Sequence, residues 1–201
     1  RVEDHVTNST NSFNVWIQRN LIHHIWRPHD GTPLDSNLGD GIALWNSSNL
    51  TAQNNVIYNV ADCAISGGGA SNTTIQNNTL YNLGQIDNNF VTGGGDGCGI
   101  KFNVAETSAG SITYLGNVII NASINNPATG GTGINHSTSP AIKSYHNTVY
   151  GGPGSGTGLS FNTVDSVGRN NIACANAIDA HKNGSITAGN FSHNIWCVSG
   201  T

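Results

Sequence analysis

The chain has 201 residues, only 9% of them charged, and 11 acidic against 7 basic side chains leave a net charge of −4. So few lysines and arginines exclude a nucleic-acid partner held through a basic stripe, because the phosphates would stay unneutralised. No apolar run approaches the roughly 18 residues of a membrane-spanning helix, so no membrane insertion is expected.

Apolar residues make up 36% of the chain, in short β-branched bursts set between Asn, Gly, Ser and Thr, a content too high for disorder. No window of a dozen residues keeps a helical period without Gly or paired Asn breaking it, so the fold class is all-β. The whole of 1–201 reads as one domain whose N-terminal coil is incomplete. Arg1 opens the chain in mid-pattern, without an initiator Met or a signal peptide. That start reads as a mature form or a fragment of a longer helix.

Taken in chain order, seven segments align on one asparagine: Asn20 in NVWIQRNLIHH, Asn55 in NLTAQNNVIYN, Asn78 in NTTIQNNTLYN and Asn117 in SITYLGNVIIN. Asn147 in AIKSYHNTVYG, Asn171 in SVGRNNIACAN and Asn194 in GNFSHNIWCVS complete the series. Two places after each Asn stands an apolar column: Ile22, Ile57, Leu80, Ile119, Val149, Ala173 and Trp196. Three places before it stand Ile17, Ala52, Ile75, Tyr114, Ser144, Gly168 and Phe191, a column that decays toward the C-terminus. A second element precedes most of the asparagines: GIALW, CAIS, CGIKF, TGINH, TGLSF and NAIDA. One half of the repeat is nearly constant in length and the other half carries insertions.

Such a repeat is one that cannot bury its apolar face alone and must stack on its neighbours. Stacking at about 4.8 Å per coil sets identical columns on top of one another. An asparagine turned into a bend then bonds the copies above and below it, forming a ladder. Over residues 14 to 197 the pattern resembles the right-handed parallel β-helix (pectate-lyase-like) superfamily. The resemblance implies three short strands per coil, about seven coils and a right-handed path. It also implies that the Asn turn joins the second strand to the third. The insertions 24–40, 82–97, 121–132 and 150–157 then follow the third strand and wall a groove whose floor is the next strand.

Alternation names that floor. With Ile42, Ile65, Ile100, Ile134, Leu159 and Ile178 inward, Ala43, Ser66, Lys101, Asn135, Ser160 and Asp179 point out. Trp45, Gly68, Asn103, Ser137, Asn162 and His181 follow on the same outer side. A floor of amides, hydroxyls, one Trp, one Lys and one His suits a sugar chain. Amides match hydroxyls and the indole matches a ring's apolar face. The expected substrate-binding residues are Trp45, Asn103, Asn135, Asn162, Asp179 and His181. The small column Gly41, Ala64, Gly99, Gly133, Gly158 and Ala177 either fits the bend into the floor strand or lets a ligand approach the backbone.

Resemblance to polysaccharide lyases makes Lys101 the candidate base, removing the proton alpha to a uronate carboxyl, with Arg27 and His24 as companions. Ca²⁺ would neutralise that carboxyl. Asp30, Asp35, Asp40, Asp62, Asp87 and Asp96 fall in the connections leading into the floor strand. Among them Asp40, Asp62 and Asp96 are the expected calcium ligands. Paired carboxylates for glycoside hydrolysis, or turns that favour Asp, account for the same clustering. His5, His23, His24 and His29 crowd the first coil beside Glu3 and Asp4, with VEDHV in the register of a floor strand. They lack a recognisable metal-ligand spacing.

Cys63 and Cys98 occupy matching places in consecutive coils, as do Cys174 and Cys197. Each pair should lie about one coil apart, within disulfide range. Two disulfides imply an oxidising compartment, hence a secreted or periplasmic protein. Asn-x-Ser/Thr sequons recur, for example at Asn8, Asn46 and Asn121, and admit glycosylation in a eukaryotic host. The expectation is a secreted carbohydrate-active β-helix that acts on an acidic polysaccharide by β-elimination, with a hydrolase or epimerase chemistry open. The rival is a non-catalytic adhesin or tail-fibre-like β-helix that binds or displays glycans.

Overall fold

The computed structural model describes residues 14–25, 39–45, 48–69, 71–84, 97–103, 111–122, 131–136, 142–151, 156–161, 166–182 and 190–197. Every strand pair in it is parallel, and the strands fall into three sheets of seven, seven and six. The first sheet runs through Trp16–Gln18, Thr51–Gln53, Thr73–Gln76, Ile112–Leu115, Ile142–Tyr145, Val167–Arg169 and Phe191–Ser192. The second comprises Leu21–Ile25, Val56–Val60, Thr79–Leu83, Val118–Ile120, Thr148–Tyr150, Ile172–Cys174 and Ile195–Trp196. The third holds Ile42–Trp45, Ile65–Gly68, Ile100–Asn103, Thr132–His136, Thr157–Phe161 and Ile178–Lys182. The chain visits the sheets in turn, once per coil. This is a parallel β-helix, and its right-handed form has the hand that crossovers between parallel neighbours take.

Register follows the two columns counted from the asparagines. Ile17, Ala52, Ile75, Tyr114, Ser144, Gly168 and Phe191 are successive partners across the first sheet. Ile22, Ile57, Leu80, Ile119, Val149, Ala173 and Trp196 are partners across the second. Both columns point inward, and with Ile65, Ile100, Phe102 and Leu159 of the third sheet they fill the core. Tyr114 lies in that column, and burial pushes its hydroxyl well above its ordinary pKa.

Between the first and second sheets the chain turns in two residues. The first of them is left-handed in every coil: Arg19, Asn54, Asn77, Gly116, His146, Asn170 and His193 all have φ between 53° and 63°. The second is the ladder asparagine. Asn55, Asn78, Asn117, Asn147 and Asn171 are at most 1% exposed, so their amides must be satisfied inside. They are. Each Nδ2 donates to the Oδ1 of the next coil and to a first-sheet carbonyl of the coil before, as Asn117 does to Asn147 and Ile75. Each Oδ1 accepts from the preceding ladder residue's Nδ2 and backbone N–H, as Asn117 does from Asn78.

A second left-handed column marks the end of the second-sheet strands, at His24, Asn59 and Asn82 one residue before the strand's last and at Asn121 and Ala175 one residue past it. Asn tolerates this conformation because its short polar side chain bonds locally, which explains its abundance at that place.

The small column before the third sheet is explained by packing against the core. A Cβ at Gly99 would come 2.4 Å from the Gly133 carbonyl oxygen and 2.7 Å from Ile119 Cγ2. At Gly133 it would meet Val149 and the Gly158 carbonyl. The bend therefore faces inward, and ligand approach through this column is not what the glycines provide.

In the last coil the expected register is corrected. Ile178 pairs with Thr157 and Ala180 pairs with Leu159, so the inward residue is Ala180. Ile178 is 40% exposed, whereas Asp179 takes the place beside Gly158 and is 0% exposed. Its Oδ1 accepts from the Asn176 backbone N–H and Nδ2. Asp179 is thus an internal acceptor that closes a turn and is removed from the groove floor.

Both disulfides form, Cys63–Cys98 with Cα atoms 4.4 Å apart and Cys174–Cys197 with Cα atoms 4.7 Å apart. Cys63–Cys98 closes a separation of 35 residues. Replacing both cysteines of this pair by serine is expected to lower unfolding free energy by about 2–4 kcal/mol, mainly through a freer unfolded chain. Urea unfolding of the parent and the double variant checks this.

Candidate functional site

The outer face of the third sheet carries Ser66, Lys101, Asn135, Ser160 and His181 of the groove floor expected from the sequence. Ser66 pairs with Lys101, Lys101 with Asn135, and Ser160 with His181, so these residues form one outward row along the helix axis. Beside them Trp45 of the first coil pairs with Gly68 of the second, which pairs with Asn103 of the third.

The same face carries a hollow lined by Asp40, Trp45, Asp62, Cys63, Ser66, Gly67 and Lys101. It spans three coils and gathers four of the residues singled out in the sequence: Asp40, Trp45, Asp62 and Lys101. Asp40 enters the floor strand of the first coil and reaches across to the second. Its Oδ1 accepts the Cys63 backbone N–H at 3.1 Å and its Oδ2 accepts the Ser66 hydroxyl at 2.5 Å. Ser66 is 6% exposed and Asp62 is 5% exposed, while Trp45 and Lys101 are half-buried at the rim.

Asp62 Oδ1 lies 3.6 Å from Cys63 Sγ. Asp62, Cys63 and Cys98 form a compact trio, but both sulfurs are tied up in the disulfide. A metal is therefore offered the carboxylate and no thiolate. The hollow measures about 10 Å³, room for one water or one ion. A sugar ring has to rest on its mouth, against the indole, instead of entering it. The described lining holds two carboxylates against one ammonium.

Elsewhere the expected residues part company. Asn135 is half-buried beside Lys101, and His181 is exposed at the far end of the row. Asn103 sits on the same sheet one position beyond Phe102. His24 is not brought to Lys101. Its left-handed backbone turns it toward His23, Tyr58 and Asn59 at the end of the second sheet. Arg27, Asn162, Asp96, Ser137, Asp30, Asp35, Asp87, His5 and His29 lie outside the described residues, as do the VEDHV segment and at least half of each insertion.

Ser66 is a lining residue that sequence reasoning left without a role, although alternation already placed it on the outer row. Its signal was the match in register to Lys101 one coil on. The fold and this face define a three-sheet parallel β-helix protein with a polar, tryptophan-flanked hollow on one sheet. Comparison of the chain with family models, with characterised proteins and with solved structures gives no match.

Proposed function

We propose that this protein is a secreted, carbohydrate-active β-helix that lays an acidic polysaccharide along the outer face of the third sheet and cleaves it by β-elimination. The observation that carries the reading is the gathering of Trp45, Lys101, Asp40, Asp62 and Ser66 around one hollow. Trp45 supplies a flat apolar surface for a ring, while Asn135, Ser160 and His181 continue the row with groups that bond hydroxyls. Lys101, at the rim, takes the proton alpha to the uronate carboxyl. Two disulfides fit the oxidising surroundings of a secreted protein.

A uronate entering here meets a net negative lining. The donors fit a hard cation: Asp40 and Asp62 supply carboxylate oxygens, Ser66 a hydroxyl oxygen, and the hollow has the volume of one ion. Bound Ca²⁺ would be held by Asp40 and Asp62 and would neutralise the substrate carboxyl.

The test is incubation with a panel of uronate polymers while following the absorbance of the unsaturated product. Release of product by any of them supports the lyase. Trp45→Ala is expected to weaken oligosaccharide binding by ~1–3 kcal/mol, as loss of a stacked aromatic does elsewhere. Calorimetry on parent and variant measures it, and equal affinities would remove the indole from the site. The shallowness of the hollow favours a second reading, a non-catalytic β-helix that binds or displays glycans. Binding without product on every polymer selects that reading.

A further inference from the structure

We infer that the outer face of the second sheet is the contact surface of a homodimer, covered by a second copy of this chain about a two-fold axis at Val118. The surface is independent of the proposed glycan face, which lies on the third sheet. Among the described residues, six of the nine exposed large hydrophobic side chains stand on it: Leu21, Val118, Ile120, Tyr150, Ile172 and Ile195. Its seven strands contain no Asp, Glu, Lys or Arg. Scattered apolar residues are ordinary on a surface, but a contiguous apolar face marks a place of association.

The order of side chains along the helix axis selects the occupant. Parallel register carries one outward row from Leu21 through Val118, its fourth member, to Ile195, its seventh. In chemistry the row reads the same in both directions. A two-fold axis through its middle, running along the strands, sets Leu21 against Ile195 of a second copy. It also sets Val56 against Ile172, Thr79 against Thr148 and Val118 against itself. Apolar meets apolar and hydroxyl meets hydroxyl, as an isologous contact requires.

The neighbouring outward row obeys the same axis. Ile120 faces itself, Tyr81 faces Tyr150, and Tyr58 faces Cys174 of the Cys174–Cys197 disulfide, a favourable sulfur–aromatic contact. The rings of His23, Tyr58 and Tyr81 are stacked at 5.0 and 4.8 Å, so this part of the face is ordered before association. Seven strands and two outward rows make a patch of roughly 34 Å by 13 Å, on the order of 900 Å² over two copies. That is the size of a reversible contact, so the dimer forms and dissociates with concentration.

Sedimentation equilibrium of the full chain from about 1 μM to 1 mM tests the surface. Monomer should give way to dimer across that range. Val118→Glu sets two carboxylates against each other on the axis and should weaken the dimer by about 100-fold or more. Leu21→Lys should weaken it by about 10-fold. Adding Ile195→Glu to the same chain should restore the parental strength, because the two-fold pairs the new ammonium with the new carboxylate at both ends of the row. Unchanged melting temperatures will show that the variants fold. A parent that stays monomeric throughout would leave the face to a different partner and overturn the assignment. An assembly larger than a dimer, or a dimer of parental strength in Val118→Glu, would overturn it as well. Failure of Ile195→Glu to rescue Leu21→Lys would overturn the two-fold register.

Discussion

Leucine in place of Asn117 is expected to cost roughly 3–9 kcal/mol of folding free energy, because three buried polar groups lose their partners at roughly 1–3 kcal/mol each. Asn117 Oδ1 accepts from the Asn78 backbone N–H at 3.1 Å and from Asn78 Nδ2 at 3.0 Å. Its Nδ2 donates to the Ile75 carbonyl at 2.8 Å and to Asn147 Oδ1 at 2.9 Å. Leucine removes all four bonds. The Asn78 N–H, one Asn78 amide hydrogen and the Ile75 carbonyl are then stranded away from water. Asn147 Oδ1 still receives the backbone N–H of residue 117, so it is spared. The comparison is Asn20→Leu at the exposed end of the ladder. Asn20 donates its N–H and Nδ2 to Asn55 Oδ1 and accepts nothing from a preceding ladder residue among those described. That change should cost ~1 kcal/mol or less. Urea unfolding of both variants reads the difference. Equal midpoints would mean that the buried asparagines contribute no more than the exposed one, and the ladder would not be what closes the turn.

The ladder was legible in the sequence because stacking repeats the same side chain in the same place, and Asn55, Asn78, Asn117, Asn147 and Asn171 share one chemical need. The residue before each of them was harder to read. Asn77, Gly116 and His146 differ in chemistry and share only a left-handed backbone, which leaves a statistical trace and no single letter. Asp179 escaped for another reason. A two-residue slip preserves alternation, so NAIDA fits the third sheet equally well with Ile178 or Ala180 inward. Pairing with Thr157–Phe161 decides between them, together with the Asn176 amide that Asp179 satisfies. On the candidate site, register alone carried Trp45, Ser66 and Lys101 to neighbouring coils. That Asp40 crosses to Ser66 depends on how the connection into the floor strand closes, which no repeat encodes.

Lys101→Ala is expected to reduce turnover of a susceptible uronate polymer by about 10²–10⁴-fold, the usual contribution of a positioned proton acceptor. Its effect on binding should be small, since a contact made chiefly in the transition state lowers the rate without a matching loss of affinity. Lys101 stands on the outward row between Ser66 and Asn135, at the rim of the hollow that Asp40 and Asp62 line. From that place it can reach a ring resting against Trp45 two coils away, about 10 Å by coil spacing. Lys101→Arg keeps the charge but holds its proton far too tightly to act as a base at neutral pH. The arginine variant should therefore bind as the parent does and turn over as poorly as the alanine variant. Progress curves give the rates, and calorimetry on short oligomers gives the affinities. Full activity in Lys101→Ala would place the base elsewhere. The paired carboxylates Asp40 and Asp62 would then become the residues to replace, with hydrolysis as the reaction to assay. Loss of binding in both variants, with the residual rate recovered at saturating polymer, would make Lys101 a substrate anchor, and elimination would lose its base.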